Sequence, residues 1–218
     1  MRQYRGCSRL YVADYTYDAT TGAVTFGTPK VFGDVKSISR EVASESEEVW
    51  ANNKLNDTVF GGTAVTRTFG CTRIDPAIQA EVMGDTVVTV GEGAAAKKLY
   101  GTAPDGSTRP YKAFGYALHD GNVEKPCEVV WAYKGIVNSI SKAANSIDRG
   151  TASEGQEVSV TFGAPDKAWA KTGKADLDIY EALDSATVTN DYVDNWFKQV
   201  VTPDNAADVL TPGTAQSN

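Results

Sequence analysis

The sequence predicts a mainly β protein, and three features of the chain support this prediction. Runs in which apolar and polar residues alternate recur along most of its 218 residues. Twenty glycines mark many turns, which favours short strands over long helices. Tyr, Val and Thr, which fit a pleated and half-buried sheet surface, recur throughout. We therefore expect a β domain with one flanking α-helix and a short C-terminal helix.

The first elements are predicted to be strands. Residues 9–17 and 23–32 form a hairpin, because the turn-forming sequence Asp-Ala-Thr-Thr-Gly at 18–22 lies between two apolar runs. Residues 34–43 form the next strand, with Ile38 and Val42 on one side.

A polar stretch begins at Ser44 and predicts a projecting loop or partly extended arm over residues 44–62, since it is too long for a tight turn. Trp50 in this stretch has two interpretations: a loop anchor that folds back on the core, or an aromatic that anchors an interface. The candidate inter-subunit contact residues are Glu47, Glu48, Trp50, Asn52, Asn53 and Phe60.

Residues 63–74 predict a strand in which Arg67 falls on the otherwise apolar face. A helix over 75–83 follows, because Asp75 is a suitable N-cap, Pro76 a suitable first residue and Gly84 a suitable stop. Its buried stripe would comprise Ile78, Val82 and Met83.

The second half of the chain predicts a looser region at 91–109, then strands at 111–119, 127–142, 156–163 and 177–183. Tyr192, Val193, Trp196, Phe197 and Val200 recur at helical spacing and predict a helix over 190–200. No linker or internal repeat divides the chain. We expect a single domain over residues 1–200 and a polar C-terminal extension over 201–218.

The charge balance argues against a protein that grips nucleic acid by its phosphates. The net charge is −7, and the densest basic cluster is the pair Lys97 and Lys98. This acidity has two interpretations: general solubility, or a surface that meets DNA without binding it.

The three cysteines, Cys7, Cys71 and Cys127, are widely spaced and predict buried free thiols rather than a disulfide framework or a zinc site. The N-terminal residues are followed by no apolar run of signal-peptide length, and no segment approaches a membrane span. We expect a soluble protein, made in a reducing cytoplasm and not exported by a signal peptide.

Candidate chemistry is sparse, and we expect no catalytic, cofactor-binding or metal-binding residue. His119, the single histidine, is predicted to lie in a surface turn. The Gly-rich segment 91–98 lacks the Gly-Lys-Ser/Thr ending of a phosphate loop and predicts a flexible loop. Asp176 and Asp178 could bind a cation or perform acid/base chemistry, but more often such a pair forms the solvated face of an edge strand.

A series of short motifs carries a resemblance to a known family. It comprises the first hairpin, residues 33–38 (Gly-Asp-Val-Lys-Ser-Ile), the acidic segment ending in residues 48–53, the helix that stops at Gly84, residues 112–116, residues 153–161 and residues 192–197. In this order and spacing the chain resembles the major tail proteins, or tail tube proteins, of long-tailed bacteriophages over residues 8–200.

The resemblance implies a β-sandwich or partial barrel, and homohexameric rings stacked into a tube through which the genome passes. It implies further partners, such as tape measure and tail terminator proteins, and a place in the virion tail after assembly in the host cytoplasm. It supplies no catalytic residue. DNA would pass through without specific binding, and no membrane would be involved.

An alternative is a monomeric β-sandwich module that binds carbohydrate or a receptor through a concave aromatic cluster. Trp131, Tyr133 and Tyr116 are the candidates for that cluster, although alternation places them equally well in the core. An enzyme of unfamiliar type is a third interpretation.

Overall fold

The computed structural model describes residues 4–51, 54–104, 109–121, 124–143 and 155–210. For residues 44–63 and residue 94 it describes the backbone only, where it describes them. The strands are β1 (Gly6–Asp18), β2 (Ala23–Phe26), β3 (Lys30–Ala51), β4 (Lys54–Ile74), β5 (Thr86–Val90), β6 (Lys97–Gly101), β7 (Lys112–His119), β8 (Glu128–Lys142), β9 (Gln156–Gly163) and β10 (Asp178–Ala182). The helices are α1 (Pro76–Met83), α2 (Asn190–Lys198) and α3 (Ala206–Leu210), with a 3-10 turn at Gly93–Ala95. The predicted mainly β class is confirmed.

Six strands close into a barrel. They pair antiparallel in the order β1, β3, β4, β9, β8 and β7, and β7 returns to β1. Strand β2 pairs with β1, and β10 pairs with β8. Of the two architectures implied by the resemblance, the structure is therefore the barrel. Closure satisfies the backbone groups that an open sheet would leave at its edges.

Alternation along β7 and β8 places residues in two separate cores. Phe114 and Tyr116 point into the barrel, while Ala113 and Ala117 face outward. The barrel interior is lined by Leu10, Val12, Phe32, Val65, Phe69, Val130, Val158, Val160 and Phe162, among others. Because both faces of these strands are covered, the sheet carries apolar residues at successive positions rather than at every second one.

Helix α2 packs against the outward-facing residues of the barrel strands and completes the outer core. Trp196 and Phe197 on α2 are buried against β7 and β8, which confirms the predicted apolar stripe. The Thr189 side chain caps α2 by accepting from the Tyr192 amide. Packing continues past residue 200 into the predicted polar extension, since Val201 and Thr202 are also buried and α3 follows them.

Helix α1 has the predicted ends. The Asp75 side chain accepts from the Ala77 amide, and Gly84 adopts the left-handed conformation at φ 70°. Glu81 on this helix accepts hydrogen bonds from Lys30 on β3 and Lys112 on β7, each at 2.8 Å. These bonds fix the helix against one end of the barrel.

Three parts of the strand prediction differ from the structure. The predicted strand at 23–32 is divided, because β2 ends at Phe26 and β3 begins at Lys30. The segments 34–43 and 44–51 belong to one continuous strand, β3, which pairs with β4 beyond the barrel. The region predicted to be loose, 91–109, also contains β6, which pairs with β5 just before it to form a hairpin. The Val-Val-Thr-Val run of β5 lacks the alternation of a half-buried strand, so sequence periodicity does not reveal it.

Candidate assembly site

The longest feature outside the barrel is a two-stranded arm formed by the ends of β3 and β4. Strand β3 pairs with β1 only across residues 30–33, and β4 pairs with β9 only across residues 65–71. From Ser44 to Ala51, the described residues of β3 pair with β4 alone. We call this segment, residues 44–63, the arm. Where the sequence predicts a projecting loop or partly extended arm, the described backbone is paired strand.

Four of the candidate contact residues have defined positions along the arm. In the antiparallel register, Glu47 lies opposite Val59 and Glu48 opposite Thr58. Trp50 lies opposite Leu55, and Phe60 lies opposite Ser46. Asn52 and Asn53 lie outside the described residues. The contact role of all six residues stays a prediction.

The base of the arm is held by a charge cluster. Arg40 on β3 and Arg67 on β4 lie directly opposite each other, an arrangement that is unfavourable for like charges. Asp178 on β10 relieves it, since its carboxylate accepts from the Arg67 guanidinium and lies 3.8 Å from Arg40. The base of the arm is thereby linked to β10.

Arg67 is fully buried inside the barrel, in agreement with its place on the apolar face of β4. Its guanidinium lies 5.1 Å from the centre of the Phe162 ring and 5.5 Å from that of Tyr116. Its Nε and Nη1 have no hydrogen-bond partner among the described residues. The aromatic faces and Asp178 therefore supply the stabilisation of this buried cation.

A cavity of about 260 Å³ opens over this cluster. Arg40, Arg67 and Asp178 contribute to its wall, and so do Tyr4 and Glu128. The Tyr4 hydroxyl donates to Glu128 at 2.5 Å, and this bond, with partial burial and the carboxylate charge, raises the pKa of Tyr4 to about 12. Asp178 pairs with the two arginines and Glu128 with the Tyr4 hydroxyl, so the arrangement is that of a structural anchor.

Asp178 corrects one expectation from the sequence. It was expected on the solvated face of an edge strand, whereas its side chain is turned toward the barrel and pairs with Arg67. Asp176 does remain near solvent, where it accepts from Thr172 at 3.2 Å. The alternation that places Arg67 on the apolar face of its strand was the signal in the sequence that a carboxylate had to reach the interior.

His119 is also a correction, because it is 5% exposed rather than part of a surface turn. Its Nε2 lies 2.7 Å from the Ser8 hydroxyl, and its Nδ1 lies 3.2 Å from the Lys125 carbonyl oxygen. Arg9, which follows Ser8 in β1, adopts a positive φ of 58° at a register shift between β1 and β7. This irregularity directs Arg9 to an ion pair with Asp194 on α2.

The other candidate groups have defined environments. No cysteine forms a disulfide, and Cys71 and Cys127 are buried as predicted, whereas Cys7 is only half-buried. Burial raises the pKa of Cys71 to about 11. Trp131, Tyr133 and Tyr116 are all buried, so they form no binding surface of the kind that the alternative requires.

Across the described ranges, no group of three or more His, Cys, Asp or Glu side chains is placed to hold a metal ion. Within the same ranges, no helix is long and apolar enough to span a membrane.

Comparisons with known proteins were made at the level of sequence and of structure. No protein-family description matches the chain. No curated protein matches it either. Among solved structures, it is similar to the tube-terminating cap of the anti-feeding prophage, with 11% identity and a TM-score of 0.39 over 84% of this chain and 95% of that one. It is also similar to a chain of the sheath–tube complex of an extracellular contractile injection system in its extended state, with 11% identity and a TM-score of 0.37 over 81% of this chain and 90% of that one.

Proposed function

We propose that this chain is the repeating subunit of a phage tail tube, in which homohexameric rings stack into a conduit for DNA. The motif order over residues 8–200 supports the family, and the arm supports assembly. The arm is the observation that carries the proposal, because it extends well past the barrel that positions it.

The dimensions of the arm suit a contact between copies. Its eight residues from Ser44 to Ala51, at roughly 3.3 Å each, extend about 26 Å beyond the barrel. A two-stranded ribbon is marginal in water without a third strand or a covering surface. A neighbouring subunit supplies such a surface, so assembly would stabilise the arm.

The barrel and the charge cluster supply the rigidity that a repeating contact needs. The closed barrel fixes the direction in which β3 and β4 leave it, and the Arg67–Asp178 pair ties their base to β10. A rigid mounting lowers the entropy cost of docking, which is repeated at every subunit.

The net charge is compatible with a conduit. A chain of −7 assembled in many copies repels the phosphate backbone, so DNA would slide through without being held. Tape measure and tail terminator proteins would be its other partners, in a virion tail assembled in the host cytoplasm.

Electron microscopy of the concentrated full chain tests the proposal. Hollow rings with six-fold symmetry, or tubes built from them, are expected. A particle that sediments as a 23.3 kDa monomer at every concentration would contradict it. That result would favour the binding-module alternative, despite its buried aromatic residues.

A further inference from the structure

The hairpin of β5 and β6 carries an unusual amount of exposed apolar surface, and we call it the apolar hairpin. On one face, Val88 lies opposite Leu99, and these residues are 50% and 57% exposed. On the other face, Val87 lies opposite Tyr100, with 46% and 41% exposed. Both faces of this ribbon therefore present large apolar side chains to solvent.

The apolar hairpin has little support from the rest of the chain. Its two strands pair with each other and with no third strand in the described part of the chain. An isolated pair of strands is marginally stable in water, and contiguous exposed apolar surface marks an interaction site. Both free edges also leave backbone donors and acceptors available for pairing.

A matching surface lies on strand β10 of the same protein. Strand β10 pairs with β8 along one edge, and its outer edge is unpaired among the described residues. Tyr180 on this strand is 65% exposed, the largest exposed fraction among the large apolar side chains described. Strands β6 and β10 are each five residues long, and they carry opposite charges: Lys97 and Lys98 on β6, Asp178 and Glu181 on β10.

One antiparallel register brings the exposed apolar residues together and gives Lys98 an acidic partner. With Leu99 opposite Tyr180, Lys98 falls opposite Glu181 and Tyr100 falls opposite Ile179. Each pair then shares one face of the extended sheet, and Gly101 lies opposite Asp178, which is already engaged with Arg67. Glu181 uses one carboxylate oxygen to accept from Tyr192 at 2.6 Å, so its second oxygen can accept from Lys98.

We propose that β6 of one copy pairs antiparallel with the outer edge of β10 of a second copy, in this register. The inference rests on the proposed function and names the surfaces through which its subunits join. The two surfaces differ, so the contact is head-to-tail, the kind that closes into rings or continues into filaments rather than stopping at a dimer.

Cysteine cross-linking in the full chain tests the register. A Leu99→Cys chain mixed with a Tyr180→Cys chain should give an oxidised dimer, because opposite residues of antiparallel strands lie within disulfide reach. Each chain alone should give no dimer above the wild-type background from Cys7. The matched control pairs Leu99→Cys with Val42→Cys, another half-exposed strand residue, and should give none.

Charge reversal tests the same contact without new thiols. Lys98→Glu should raise the concentration needed for assembly by about tenfold or more, as expected for a close charge pair across an interface. Combining it with Glu181→Lys should restore much of the loss.

The outcomes separate this inference from the proposed function. If the wild-type chain forms tubes, but the Leu99→Cys and Tyr180→Cys chains do not cross-link and Lys98→Glu has no effect on assembly, the inference is overturned. The proposed function as a tube subunit would then still stand. A cross-link within single chains of the Leu99→Cys, Tyr180→Cys double variant at high dilution would show that the apolar hairpin covers its own β10, which also overturns it. A wild-type chain that never assembles would overturn both.

Discussion

Gly115 on β7 lies directly opposite Trp131 on β8, and the indole ring occupies the space where a side chain at residue 115 would begin. A Cβ at this glycine would lie 2.8 Å from three atoms of the Trp131 ring. The same indole donates from Nε1 to the Trp196 carbonyl oxygen at 2.9 Å. The absence of a side chain at Gly115 therefore allows Trp131 to take the position from which it holds helix α2.

Gly115→Ala should destabilise the protein, because the added methyl group displaces a ring that is itself enclosed. Overpacking of this kind costs about 1–3 kcal/mol in free energy of unfolding. Chemical denaturation measures the loss. Gly163→Ala is the matched control, since a Cβ at that strand glycine meets nothing within 4 Å, and it should change the free energy by less than about 0.5 kcal/mol. Equal effects of the two substitutions would show that Trp131 moves aside freely.

Trp196→Ala should cost about 3–5 kcal/mol in free energy of unfolding, because it removes a large buried side chain. The main-chain carbonyl that accepts from Trp131 survives the substitution. A loss below roughly 1 kcal/mol, typical of surface positions, would show that the helix is not packed as described. In that case Trp196 becomes an interface candidate, and the variant should be examined for loss of ring formation.

Trp196→Phe separates the packing of this residue from its polar atom. The Trp196 indole N–H is buried without a hydrogen-bond partner among the described residues. Phenylalanine removes that unsatisfied donor while it retains most of the apolar contact. Its loss of stability should therefore be less than half that of Trp196→Ala.

Local patterns in the sequence were sufficient for most of the fold. The capping residues Asp75 and Gly84 locate α1, and the spacing of Trp196 and Phe197 locates the buried face of α2. These signals lie within a few residues of the feature that they predict. Closure of the barrel was harder to predict from the sequence, because it depends on strand pairings that span most of the chain.

The candidate site was harder to predict, because its partners are distant in sequence. Arg67 and Asp178 are separated by 111 residues. The position of Arg67 on an apolar strand face therefore indicated a buried charge but did not identify its partner. His119 was misplaced for a similar reason, since its contact Ser8 is 111 residues away. The exposed apolar surface of the hairpin was missed because the exposure of Val88 and Leu99 is a property of the tertiary structure, not of their hydropathy.

Glu81 should make stability depend on pH. Partial burial raises the pKa of its carboxyl, but the hydrogen bonds and charges of Lys112 and Lys30 outweigh that effect and hold the pKa below its ordinary value. A carboxyl with a lowered pKa in the folded state stabilises the protein above its unfolded pKa. That contribution is lost as pH falls through the folded pKa.

Glu81→Gln should therefore lower the free energy of unfolding at neutral pH, by no more than about 1 kcal/mol because the pair is partly exposed to solvent. The difference from wild type should shrink as pH falls below the ordinary range of a glutamate. Denaturant titrations across this pH range measure it, with the exposed Glu41→Gln as the control. A difference that stays constant with pH would assign the effect to packing rather than charge.

DNA should bind the assembled protein weakly at physiological salt. The net charge is −7, and the pair Lys97 and Lys98 is the densest basic cluster in the sequence. An electrophoretic mobility assay with duplex DNA should show no shift at micromolar protein. Tight binding that weakens steeply with added salt would instead indicate a basic surface created by assembly.

Deletion of residues 46–56 should abolish tubes and leave a folded barrel. The described residues of this segment pair only within the arm, whereas the barrel pairings of β4 with β9 begin at Val65. Circular dichroism and thermal unfolding should therefore report a β-rich chain that unfolds cooperatively, while electron microscopy shows no tubes. Trp50→Ala is the finer variant, and it should weaken assembly if this aromatic anchors a contact between copies.

Normal tubes from the deletion would remove the arm from the assembly mechanism. Loss of tubes with an unfolded chain would call for Trp50→Ala, together with Glu47→Lys and Glu48→Lys, to decide the question in a folded protein.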